Sequence, residues 1–313
     1  MALCVTSARA AAHGVLLLTL CDPAGNDLPE WAPGDHLEIV LPSGLIRHYS
    51  LCGDFEDLSS YTVAVLLVED GGGGSKEIHD RGLVGEELIV RGPRNHFPLV
   101  EASAYLLIAG GIGVTPLYAI ARYLQKVGAE WTMIYGGRTA EGMAFREELG
   151  AIGGTRVSVV PQDTHGIPNL ATALEEAGPG TAVYCCGPDP MLRAVEGLVA
   201  GHADRLTLHT ERFGKSGGPL PVAEGGAFEL YLADSDITIQ VPGDRSALDC
   251  IREVKPDHPY SCMEGTCGSC EVMVRVGAVD HRDEVLTEDE REENTSMMPC
   301  VSRGISPRIV IEL

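Results

Sequence analysis

The sequence predicts a multidomain protein: an antiparallel β-barrel, an α/β domain on a mostly parallel sheet, and a C-terminal α+β domain. Three observations predict it. At 313 residues the chain exceeds what one ordinary core organises. Short apolar runs separated by Gly, Pro, Asn and Asp fill the first hundred residues, and from Tyr105 strand and helix patterns alternate. Four of the ten cysteines gather near the C-terminus at metal-ligand spacing.

Residues 1–99 carry the barrel pattern, with strands expected over Val15–Leu20, Leu37–Val40, Arg47–Leu51, Tyr61–Val68 and Glu87–Arg91. His79 to Gly85 reads as a short connecting turn or helix, and Gly92-Pro93 followed by Asn95 closes the region. Residues 100–214 then read as strand Tyr105–Ile108, glycine turn Gly110–Gly113, helix Pro116–Val127, strand Trp131–Tyr135 and helix Phe145–Leu149. Arg156–Val160, Leu170–Glu176, Thr181–Cys185, Met191–Val199 and Thr207–His209 continue the alternation. Such alternation predicts a parallel sheet with helices on both faces. Residues 215–226 are rich in glycine and proline with little to bury, which predicts a linker. Within 227–313, Phe228–Leu232 and Ile237–Val241 suit a hairpin and Ala247–Val254 a helix.

The cysteines carry the most specific chemistry. Cys262, Cys267 and Cys270 stand as C-x4-C-x2-C, and Cys300 follows after 29 further residues. This is the plant-type [2Fe-2S] ferredoxin spacing, in which four thiolates complete two tetrahedral irons. Gly265 and Gly268 let the loop wrap tightly and turn backbone N–H groups toward sulfur. Structural zinc also takes four cysteines, usually as paired CxxC knuckles. The remaining six, Cys4, Cys21, Cys52, Cys185, Cys186 and Cys250, sit singly or in apolar runs as core thiols do.

Two turns have the character of a nucleotide site. Ala109-Gly-Gly-Ile-Gly-Val-Thr-Pro116 follows a strand and opens a helix, so Gly110, Gly111 and Gly113 could bring backbone N–H groups to a diphosphate or nicotinamide. An ordinary tight turn reads the same way. Cys185-Cys-Gly-Pro-Asp-Pro-Met191 is a second strand end running into a helix, and the two could line one crevice. By composition Cys186 reads first as a core thiol, with contact to nicotinamide as the alternative. In the barrel, Arg47-His-Tyr-Ser-Leu51 sets a cation, an aromatic ring and a hydroxyl along one strand. Asp70-Gly-Gly-Gly-Gly-Ser75 could offer amides to a phosphate.

The formal charge of -22 argues against a nucleic-acid partner, which requires clustered lysine and arginine. From residue 227 onward 18 Asp and Glu stand against 8 Lys and Arg, a surface that either steers a basic partner or only solvates the domain. No run of 18 apolar residues occurs, so a membrane span is not expected. Ala10–Leu18 weakly suggests a signal peptide, but Cys21-Asp-Pro-Ala-Gly reads as the turn after a first strand, and a cytoplasmic location is expected.

With these strings together, nearly the whole chain resembles the phthalate dioxygenase reductase family, reductase components of Rieske-type aromatic oxygenases and O-demethylases. The resemblance implies the order FMN barrel, NADH domain, β-grasp plant-type ferredoxin domain. It implies that Arg47, His48, Tyr49 and Ser50 form the flavin strand, with Ser50 near the flavin N5. It implies that Gly73, Gly74 and Ser75 close on the FMN phosphate. Thr115 and Cys186 would lie nearest the nicotinamide, with Gly110, Gly111, Gly113, Gly187 and Pro188 in the facing turns and Arg138 beside the dinucleotide. Phe213, in Glu211-Arg-Phe213, would cover the isoalloxazine. One departure stands out: where relatives commonly carry arginine in the glycine loop, this chain has Gly72.

The implied activity is electron transfer from NADH through FMN and the [2Fe-2S] cluster to a terminal Rieske-type oxygenase in aromatic catabolism, with NADH preferred over NADPH. Catalytic roles would fall to Ser50, Thr115 and Cys186. Two other classes are a stand-alone NADH-dependent flavin or ferric reductase, marked by turnover without a protein acceptor, and a non-catalytic electron carrier or redox sensor.

Overall fold

The computed structural model describes residues 1–69, 71–213, 226–260, 263, 265, 268–283, 285–286 and 288–313. Cys262, Cys267, Asp70 and the expected linker up to residue 225 lie outside the described residues. The chain forms two compact units, the first covering Met1–Glu69 and Gly73–Phe213, the second the C-terminal part.

The first unit begins with β1 (Ala2–Ala12), β2 (Val15–Cys21), β3 (Asp35–Val40), β4 (Ile46–Ser50), β5 (Tyr61–Leu66), α1 (Gly74–Arg81) and β6 (Glu87–Asn95). These strands form one antiparallel sheet in the order β4-β3-β6-β1-β2-β5. A bridge between Leu51 and Val63 and a Cys52 N–H to Thr62 carbonyl bond of 2.9 Å join its two ends, so the sheet closes as a barrel. Its interior is filled by Leu3, Val5, Leu18, Leu20, Leu37, Ile39, Val63 and Val90.

Two elements differ from the sequence reading. The Ala10–Leu18 stretch is a β-hairpin turned at Gly14 (φ +73), and β1 pairs on both sides. Glu87–Arg91 continues to Asn95, because Gly92 (φ +112) absorbs a register shift opposite His36 and Glu38.

The rest of this unit is β7 (Ala104–Gly110), α2 (Val114–Val127), β8 (Trp131–Gly137), α3 (Arg146–Gly153), β9 (Val157–Pro161), α4 (Gln162–His165), α5 (Leu170–Glu176), β10 (Thr181–Cys186), α6 (Asp189–Ala200) and β11 (Leu206–Glu211). All neighbouring pairs are parallel, in the order β11-β10-β7-β8-β9. The chain leaves β7 toward β8 and β9, then returns on the other side to β10. The switch point therefore falls between β7 and β10, where open α/β sheets bind ligands at the carboxyl edge.

Barrel and α/β layers share one apolar core, in which Val15, Leu17, Cys52 and Phe97 meet Leu107, Leu117 and Tyr184. Polar ties flank it. The Tyr184 hydroxyl donates to the Pro98 carbonyl and accepts from the Val100 N–H, both at 2.8 Å. Arg122 of α2 donates to the Gly53 carbonyl at 2.6 Å and pairs with Asp54 at 3.0 Å.

The second unit comprises β12 (Phe228–Leu232), β13 (Ile237–Val241), α7 (Ala247–Val254), β14 (Val272–Val276), β15 (Val279–Asp280), α8 (Glu288–Glu293), β16 (Ser296–Met297), β17 (Arg303–Gly304) and β18 (Arg308–Ile311). Its mixed sheet runs β13-β12-β18-β14-β16 with β12 and β18 parallel, a β-grasp arrangement. Ala247, Cys250 and Ile251 of α7 pack on the sheet through Leu230, Ile239 and Ile309. Arg303 is buried here, donating to the carbonyls of Arg245, Pro242 and Gly226 with its guanidinium 5.5 Å from the centre of the Phe228 ring. Among the described residues, no helix is long and apolar enough to cross a membrane.

Candidate active site

At the switch point the two sequence-predicted turns are pressed together. A Cβ on Gly113 would lie 2.4 Å from the Cys186 carbonyl oxygen. One on Gly110 would lie 2.6 Å from Pro188 Cδ, and one on Gly187 would lie 3.0 Å from the Gly110 Cα. Only glycine lets these backbones approach so closely. Helix α2 opens directly after this contact and α6 opens at Pro188, so two helix N-termini meet at the switch point. These features suit an anionic dinucleotide held by backbone.

Thr115 is 2% exposed, and its hydroxyl donates to the Ile112 carbonyl at 3.1 Å, which pins the first turn of α2. Cys186 ends β10 with its thiol fully enclosed. Burial foremost, then the neighbouring Glu211 and Cys185, pushes that thiol well above its ordinary pKa. It is a neutral packing group here rather than a nucleophile. Arg138 is exposed just beyond β8, its carbonyl accepting from Asp163 N–H at 3.2 Å.

The barrel residues converge on β4 and the start of α1. Arg47 lies across the first residue of that helix: a Cβ on Gly74 would meet its Nε at 2.6 Å and its Cγ at 2.7 Å. Gly73 takes the left-handed conformation and caps the helix with no side chain, so the first N–H groups of α1 stand beside a guanidinium. That combination fits a phosphate monoester. Ser75 Oγ accepts from Val68 N–H at 3.1 Å and fixes the loop. Burial raises the Tyr49 phenol above its ordinary range despite Arg47 nearby. Ser50 is 4% exposed, and its hydroxyl is enclosed with no partner, a donor suited to an acceptor such as a flavin ring nitrogen.

His48 belongs to a different constellation. It pairs across the sheet with buried Glu38 at 3.9 Å, and Glu38 also holds Arg91. The His48 ring lies 5.1 Å from His36, whose own pKa falls to about 3, mainly through burial.

Phe213 follows β11 and is 40% exposed, a large ring left uncovered. Arg212 beside it is clamped to α6 through Asp189 at 2.8 Å and through Glu196. Between strand and ring stands Glu211, whose role the sequence reading omits. It pairs in register with Cys186, and its Oε2 is enclosed without a partner although part of the residue still meets solvent. Burial raises its carboxyl to about 8. The available signal was an acid ending a strand beside the Cys186 strand.

In the second unit, Cys270 and Cys300 are both buried in one small apolar cluster with Leu248, Leu286, Met298 and Val301. Two thiols in so dry a setting fit an iron-sulfur centre, where low dielectric and backbone N–H groups govern the potential. Cys262 and Cys267, the other expected ligands, lie outside the described residues.

Comparison with known proteins gives the same division. Residues 107–197 match the oxidoreductase NAD-binding domain model, and residues 230–303 match the 2Fe-2S iron-sulfur cluster binding domain model. A putative toluene-4-sulfonate monooxygenase system reductase subunit of Comamonas testosteroni is 39% identical, the alignment covering 99% of this chain and 98% of the relative. Phthalate dioxygenase reductase of Burkholderia cepacia is 36% identical over 99% of this chain and 96% of its own length. A solved phthalate dioxygenase reductase structure superposes with a TM-score of 0.77 at 35% identity, covering 100% of this chain and 98% of that one. An intact type IV self-sufficient cytochrome P450 monooxygenase superposes with a TM-score of 0.87 at 38% identity, and the chain spans 41% of that longer protein. The chain is an oxidoreductase with NAD-binding and [2Fe-2S] domains, and it belongs to the phthalate dioxygenase reductase family.

Proposed function

We propose that this protein draws electrons from NADH and delivers them, through FMN and its [2Fe-2S] cluster, to a terminal Rieske-type oxygenase in the cytoplasm. The close apposition of Gly113 and the Cys186 carbonyl carries the reading. It brings two glycine turns and two helix N-termini together at the switch point, in the same unit as the Arg47–α1 phosphate cradle.

FMN, when bound, converts a two-electron hydride into single-electron transfers that an iron-sulfur centre accepts. Everything else falls to orientation. Gly110, Gly111, Gly113, Gly187 and Pro188 would receive the dinucleotide; Thr115 would pin the turn that meets the nicotinamide, and Cys186, enclosed at the end of β10, would back that site and keep water out. Arg138 stands beside the dinucleotide. Arg47, Gly73, Gly74 and Ser75 would hold the flavin phosphate; Tyr49 and Phe213 would bound the ring; Ser50 would donate to N5; His48 supports the strand through Glu38. Cys262, Cys267, Cys270 and Cys300 ligate the cluster. The working boundaries are 1–99 for the flavin barrel, 100–214 for the NAD domain, 215–226 for the linker and 227–313 for the ferredoxin domain.

The test is chromatography of the cofactor released from purified protein. One FMN per chain is expected; FAD, or no flavin, removes the assignment.

A further inference from the structure

We propose that Asp283 is a positioning residue for the iron-sulfur centre: it fixes the wall of the cysteine cage and sets one enclosed negative charge beside it. The proposal rests on the [2Fe-2S] reading of the four cysteines. The Asp283 side chain has 0% exposure, and a carboxylate so placed must have its lone pairs filled. Oδ2 accepts the Leu286 N–H at 2.9 Å and the Val285 N–H at 3.2 Å, and Oδ1 accepts the Ser302 hydroxyl at 3.2 Å. Ser302 Oγ in turn accepts the Arg282 N–H at 3.3 Å, and the Asp283 carbonyl accepts from the Arg291 guanidinium. His281 stands nearby, its buried Nδ1 3.9 Å from Oδ1, with neither ring nitrogen hydrogen-bonded.

Leu286, Val285 and Ser302 lie near the cysteine positions. Leu286 packs in the apolar cluster of Cys270 and Cys300. Val285 Cγ1 lies 3.5 Å from where a Gly268 Cβ would stand. A Cβ on Gly265 would come within 3.0 Å of Asp283 Cα and 2.6 Å of Val301 Cγ2. Gly265 and Gly268 adopt φ of +73° and +70°, a conformation glycine takes without strain, and so lie against Asp283 and Val285 respectively. Ser302 stands two positions beyond Cys300. One carboxylate thus ties the Val285–Leu286 segment, which packs against Cys270, to the turn that carries Cys300. A local turn cap accounts for the Val285 and Leu286 bonds. It does not account for the enclosed bond to Ser302, 19 residues away.

The experiment compares the native full-length protein with Asp283→Asn and Asp283→Ala in iron per chain, rate of cluster loss to a chelator, and cluster midpoint potential. Asparagine keeps an acceptor for the two N–H groups and removes the charge. We expect native iron content with a raised potential, the reduced-to-oxidised ratio changing about tenfold, or about 59 mV for one electron. Alanine also removes the acceptor, and cluster loss should accelerate at least about tenfold while flavin content stays native. An unshifted potential in Asp283→Asn, or native chelator resistance in Asp283→Ala, overturns the proposal. Native protein without iron would overturn the [2Fe-2S] reading itself.

Discussion

Replacing Gly113 with alanine isolates the contact on which the proposed nicotinamide site rests. Gly113 has φ −61°, so alanine meets no backbone strain there; the entire effect is steric. The added Cβ would stand 2.4 Å from the Cys186 carbonyl oxygen, 2.5 Å from its carbon and 2.8 Å from Gly187 N. All three are backbone atoms at a strand end and cannot swing aside. Relief to ordinary contact requires the β7 and β10 turns to part by roughly 1 Å, a misplacement able to cost about 100-fold in rate where reactants must be aligned. Overpacking adds about 1–3 kcal/mol of destabilisation. Stopped-flow bleaching of bound flavin by NADH should therefore slow by about two orders of magnitude with flavin content retained. Gly128→Ala, at the far end of α2, is the control. It pays about 1–2 kcal/mol for its φ of +72° but meets nothing within 4 Å and touches neither turn, so its rate should fall far less. Native-rate flavin reduction in Gly113→Ala would refute the assignment of these turns to nicotinamide.

Other perturbations probe the remaining parts. With its carboxyl raised to about 8 against an unfolded value of 4.5, Glu211 keeps a proton that the unfolded chain releases, so its contribution to stability falls as pH rises between those values. The full shift corresponds to about 5 kcal/mol, which we reduce to roughly 2 kcal/mol because part of the residue meets solvent. Melting temperature should therefore drop more from pH 6 to pH 9 in the native protein than in Glu211→Gln, and equal drops would contradict the burial argument. Arg47→Ala should weaken FMN binding by about 10- to 100-fold, the worth of one charge-assisted contact, as read by flavin release on dilution. Unchanged affinity would move the phosphate elsewhere. Cys270→Ser should abolish the cluster's visible absorption yet leave NADH-dependent flavin reduction intact; loss of both in a folded protein would reverse the electron order.

What was legible in the sequence was whatever lay close together along it. The C-x4-C-x2-C spacing and the glycine turns at Gly110 and Gly187 are local strings whose chemistry follows from residue type. Strand β1 was not legible. Ala2–Ala12 is rich in alanine and polar residues, and it is a strand because β2 and β6 pair with it, a tertiary effect overriding weak propensity. The Gly92-Pro93 punctuation suggested an end where the structure has a shifted strand. Glu211 looks like an ordinary surface acid until the fold encloses its oxygen, and Asp283 and Ser302 meet only because β15 and β17 pair and bring their neighbours together. Enclosure and long-range pairing are properties of the folded chain, which is why Glu211, Asp283 and Ser302 escaped the linear reading.

Anaerobic titration with NADH, followed by visible and EPR spectroscopy on one sample, tests the electron path most directly. NADH should bleach the flavin, and the EPR signal of a reduced [2Fe-2S] centre should grow in the same titration. Flavin that stays oxidised, or a cluster that stays EPR-silent while the flavin is fully reduced, would contradict it.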